Sequence, residues 1–153
     1  MKTRLHGIMG GLGMVMIMLF FFSSVIVELS GNEQAVALVK QMIVYSLLGL
    51  VPIMIVTGIS GRVVVGQRQG RLIQTKMKRM KFVAANGILI LIPCAVTLNN
   101  LAAVGTFNTT FYLLQGVEFL AGAVNIVLMG LNLRDGLLLA GRMHKNKRLM
   151  RQL

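Results

Sequence analysis

Apolar residues along this chain gather into four long runs, at 7–27, 37–59, 82–105 and 111–133. Each is close to the roughly 20 residues an α-helix needs to cross a hydrocarbon core about 30 Å thick. A helix that is apolar nearly all round wants lipid or other helices around it, not water. The first run follows Lys2 and Arg4 as a signal peptide would. It is too long for a cleavable apolar region, however, and no small-x-small site precedes Glu28, so it reads as a retained helix. SGNEQ separates the first two runs and TFNTT the last two. Both pairs therefore read as hairpins with tight loops. The pattern predicts an all-α membrane protein: one domain over 1–153, a four-transmembrane-helix bundle of two helical hairpins.

The connection at 60–81 and the tail at 134–153 are different in kind. They hold seven and six basic residues, and with Lys2 and Arg4 they account for fifteen of the sixteen Lys and Arg. A four-span topology puts all fifteen on one side. The positive-inside rule makes that side the cytoplasm, giving both termini inside a cell's inner membrane. Lys40 is the exception, at the outer start of the second helix. Within 70–81, Leu72, Ile73, Met77 and Met80 recur at helical spacing among the bases. The segment is expected to lie as an amphipathic helix on anionic lipid headgroups. No aromatic platform or groove-reading motif accompanies the charge, so nucleic acid is not an expected partner.

Composition agrees with the pattern. Hydrophobic residues make up 56% of the chain against 13% charged, with a mean hydropathy of +0.77. That is too little polar surface for a water-soluble domain. The charge of +12 matters only through its placement. Trp is absent, so the usual interfacial belt is not marked by it. The single cysteine, Cys94, lies within an apolar run and offers neither a disulfide nor a metal knuckle.

Helix four carries the sharpest polar pattern. Gln115, Glu118, Gly122, Asn125, Met129 and Asn132 are spaced 3, 4, 3, 4 and 3 apart, one seam on one face. Lipid would penalise such a seam, so it is expected to face other helices or an aqueous cavity. Interhelical hydrogen bonding is the simplest use for its amides. Glu118 carries more weight, because an acid inside a membrane is a functional-site candidate by default. By depth alone, Asn99, Asn100, Lys40, Tyr45 and Gln115 can meet it, with Lys40 the foremost partner. Such a cluster suits a proton, a small cation or a quinone headgroup.

His6 and His144 are the only histidines, both expected at the cytoplasmic end, where they can in principle ligate a b-type haem. Pro52 and Pro93 interrupt helices two and three and permit kinks. Gly7 and Gly11 fit a small-xxx-small packing contact. LLGLVPI at 47–53 aligns with LAGAVNI at 120–126, the mark of a parallel duplication of the hairpin. Neither a nucleotide-binding, hydrolase nor metal-ligand motif is present, so no catalytic or metal-ligating residue is assigned. The expected function is non-enzymatic: an accessory or anchor subunit beside a larger membrane partner or a second copy. The alternatives are a small proton-coupled transporter using Glu118 and an electron-transfer subunit binding haem or quinone.

Overall fold

The computed structural model describes residues 2–66 and 70–149, with side chains described over 5–64, 66, 70–139 and 141. The chain forms α1 (Lys2–Ser30), α2 (Glu33–Val65), α3 (Arg71–Asn86), a π-helical segment (Gly87–Leu91), α4 (Ile92–Ala103) and α5 (Thr109–Leu149). Because α3, the π segment and α4 run on without a break, the described residues form four long apolar rods. Each is long and apolar enough to cross a membrane.

The rods outrun the apolar runs because helical hydrogen bonding continues through polar residues until something caps it. Asn32 caps α2, its side chain accepting from the Ala35 N–H. Gly31, Gly66 and Gly105 take positive φ of 65°, 51° and 67°, a region that an L side chain resists. One expectation changes as a result. The basic stretch at 70–81 is not a separate helix lying across the end of the bundle but the opening of the third rod.

The irregularity in that rod has a local cause. Pro93 has no N–H, and its ring would collide with the carbonyl four residues earlier, at Leu89. Just before it the backbone widens, and the Ile92 N–H reaches the Gly87 carbonyl, five residues back. Pro52 sits within α2, which runs through it without a comparable break.

α1 packs along α2 as one hairpin, α4 and α5 form the other, and α5 also crosses α1. Met14 lies near Gly130 and Phe21 near Gly122, so α1 and α5 are antiparallel and both chain ends sit at the α2–α3 end of the bundle. At the opposite end Val36, Leu98, Ala102 and Phe111 form a buried apolar cluster; lower down, Ile17, Val83 and Met129 form another. Large apolar residues such as Ile8, Leu19, Leu48, Leu89 and Leu120 remain exposed around the outside, the surface lipid would cover. α2 meets α4 closely but barely touches α3. The space between them is a cleft of about 450 Å³.

Candidate functional site: a buried polar column

The polar seam of α5 faces inward. Gln115, Asn125, Met129 and Asn132 are buried, and Asp135 extends the series by one more step. Because successive members lie three or four residues apart, they stack into a column down one side of the helix. The column makes three separate contacts with neighbouring rods.

At the top, Glu118 receives Lys40 Nζ at 2.6 Å and Gln115 Nε2 at 2.8 Å on the same oxygen, Oε2. Lys40 also donates to Ser24 Oγ at 3.2 Å, joining α1, α2 and α5 at one point. Only 1% of Lys40 is exposed, so its ammonium does not snorkel to the interface. The Glu118 side chain keeps 12% exposure and borders the cleft. Gln115 Oε1 and Glu28 Oε1 are buried without a partner among the described residues.

Roughly 10 Å further down, seven residues at 1.5 Å each, Asn125 meets α3. Asn86 Nδ2 donates to Asn125 Oδ1 at 2.8 Å and to the Ala121 carbonyl at 2.9 Å. Asn132, the next polar member, buries both side-chain polar atoms with no partner among the described residues. At the bottom, Asp135 is clamped by Arg79 at 2.7 Å and Arg134 at 3.2 Å. Lys76 lies against Gly136 beside it.

The sequence-predicted cluster is thus smaller and differently composed than depth alone suggests. Lys40, Gln115 and Glu118 come together. Tyr45 does not: it is 61% exposed, with Gln41 as its hydrogen-bond partner. Helix rotation carries it to the outer surface. Asn99 is half-buried and Asn100 exposed, and neither bonds to Glu118. Asn125 belongs to the middle contact with Asn86. The partners Ser24, Asn86 and Arg79 are not marked by the sequence, since only the seam on the facing helix points toward them.

His6 lies flat on α2. Its Nδ1 donates to the Thr57 carbonyl at 3.1 Å, with Ser60 Oγ at 3.3 Å, and the ring fills the space over Gly61. That is the geometry of a helix-packing residue. The side chains of His144 and the other bases beyond residue 141 lie outside the described residues, as do Lys2, Arg4 and Arg68. Gly10 and Gly13 face α2, whereas a Cβ on Gly7 or Gly11 would meet nothing within 4 Å. The Gly7/Gly11 pair is therefore open on the bundle's outside.

Chemically, the column joins rods. Two of the chain's four acids are held by cations and its central amides by each other. No family model, curated protein or solved structure matches the chain.

Proposed function

We propose that this chain is a non-enzymatic accessory or anchor subunit of an inner membrane, with both termini in the cytoplasm, that packs beside a larger membrane protein or a second copy of itself. The observation that carries this reading is the engagement of Glu118. Its carboxylate is held by a buried Lys40 and by Gln115, as a structural tie would be. The outward faces are plain apolar side chains, suited to lipid and to another membrane helix. The open Gly7/Gly11 stripe on α1 is where a second helix can approach the backbone closely. The fifteen cations that the sequence gathers in the N-terminal stretch, the 60–81 connection and the tail fit the cytoplasmic side.

Purification in mild detergent, with mass spectrometry of co-eluting proteins, is the first test. A stoichiometric membrane partner or a homo-oligomer is expected, and Gly11→Leu should release it while the chain still inserts. A monomer with no partner, unchanged by that substitution, would remove the reading.

One observation favours a second reading, a small proton-coupled transporter: Glu118 borders the cleft and Gln115 Oε1 beside it lacks a partner. Proton-linked uptake into vesicles that disappears in Glu118→Gln, with normal insertion, would establish it. Uptake that survives the change would leave Glu118 a tie between helices.

A further inference from the structure

The cleft between α2 and the third rod has a shape and a charge distribution that the polar column does not explain. It extends along residues 43–62 of α2 and 77–95 of the third rod. At 1.5 Å per residue that is about 28 Å, nearly the thickness of a bilayer's hydrocarbon core. Its volume of about 450 Å³ lies within the roughly 300–1,000 Å³ usual for small-molecule sites. The walls are apolar almost throughout, with Leu47, Leu50 and Met54 on one side and Met80, Ala84 and Leu91 on the other. Such walls strip the hydration shell from an ion and return nothing, which argues against a polar solute.

The charge is confined to the ends. At the basic end the lining includes Arg62 and Lys81, both exposed, and neither forms an ion pair among the described residues. Other bases of α3 are differently used. Arg79 turns to Asp135 and Lys76 to Gly136, both on α5, whereas Lys81 faces the cleft. The only acid in the lining is Glu118, toward the far end and already held by Lys40. Arg62 and Lys81 thus line the cleft with no carboxylate paired to either among the described residues, a charge complementary to a phosphate. Guanidinium and ammonium groups at a basic gap between membrane helices are the usual receptors for anionic headgroups.

The slot is also built by departures from regular packing. Part of its wall is the π-helical segment, with Gly87, Ile88 and Leu91 in the lining, and such bulges recur where helices make binding sites. Gly58 faces it from α2. A Cβ at Gly58 or Gly87 would meet nothing within 4 Å, so these glycines do not serve close helix contact. They leave room.

We infer that the cleft is a binding site for one anionic phospholipid, with its phosphate between Arg62 and Lys81 and an acyl chain along the slot toward Glu118. A zwitterionic lipid fills the same slot with a headgroup whose own ammonium opposes the two bases. A partner's helix or a quinone would occupy it without needing the paired cations.

The test is native mass spectrometry of the full chain reconstituted in vesicles of mixed phosphatidylcholine and phosphatidylglycerol, then released in mild detergent. One phosphatidylglycerol per chain is expected, preferred over phosphatidylcholine. Arg62→Gln with Lys81→Gln should cut retention of phosphatidylglycerol roughly thirtyfold, the effect of two interfacial cations, and erase the preference. Gly58→Phe fills the slot with a ring where there is open space. It should abolish lipid retention while helical circular dichroism and the Tm are kept, since Gly is the poorer helix former. Equal retention of the two lipids before and after the charge changes would overturn the inference. So would undiminished lipid binding in a folded Gly58→Phe chain, or the recovery of a quinone or a foreign peptide from the slot instead.

Discussion

At the scale of single residues, the bundle shows how a membrane protein places charge where lipid forbids it. Lys40 breaks the otherwise one-sided distribution of bases, and its contact with Glu118 explains why it can. An ammonium and a carboxylate buried together are each tolerable only because the other is there, and Ser24 and Gln115 satisfy further sites. Removing one partner must then cost far more than removing both. Lys40→Met is expected to lower stability by about 3–5 kcal/mol, because it strands Glu118. Lys40→Met with Glu118→Leu should recover most of that loss. Thermal unfolding of the two variants in detergent measures the difference. If the single and double changes prove equally harmful, the contribution lies in packing and not in charge compensation. The Asn86–Asn125 pair is a milder case, since amide bonds between membrane helices are worth about 0.6 kcal/mol on average.

At the scale of helices, small residues decide how close the rods come. Gly122 sits in the polar seam between Glu118 and Asn125, and a Cβ there would stand 3.1 Å from the Phe21 ring of α1. Phe21 is itself stacked edge-on against Phe119, so the ring has neighbours that resist its retreat. Gly122→Leu should therefore force α1 from α5 and destabilise the chain by about 1–3 kcal/mol. Gly11→Leu, whose new side chain would meet open space, should leave the unfolding temperature of the isolated chain unchanged. The pair of melting curves separates packing inside the bundle from packing against something else. A Gly122→Leu chain as stable as the parent would mean that Phe21 swings aside freely. Gly7 and Gly11, four apart, and Gly10 and Gly13, three apart, both allow close approach, and only the rotation of α1 about its axis decides which pair faces α2. Rotation likewise separates Tyr45 from Glu118 although both lie toward the same end of the bundle. The spans, the hairpins and the inward face of α5 could be read from periodicity, because lipid punishes a misplaced polar stripe on each helix independently. Ser24 and Asn86 could not, because they are isolated polar residues with no stripe to aim them. Nor did the apolar count reveal that the third rod begins at Arg71, since a helix ends where capping stops it and not where hydrophobicity does.

At the scale of the whole molecule, charge and geometry bear on the same question from different sides. The four rods place both termini and the α2–α3 connection at one end, whichever way the bundle is inserted. The proposed orientation puts that end in the cytoplasm, because positively charged loops are as a rule retained on the cytoplasmic side. The proposed orientation has a definite outcome under labelling. Cys94 is buried, so in a Cys94→Ala background single cysteines report their own positions. Glu33→Cys lies at the exposed start of α2, and Gln74→Cys in the exposed basic turn of α3 at the other end. A membrane-impermeant maleimide added to intact spheroplasts is expected to modify the first and spare the second until the cells are lysed. The reverse pattern would turn the bundle over. The Arg62/Lys81 mouth of the cleft would then open to the outer leaflet, and the fifteen bases would need an explanation other than retention in the cytoplasm.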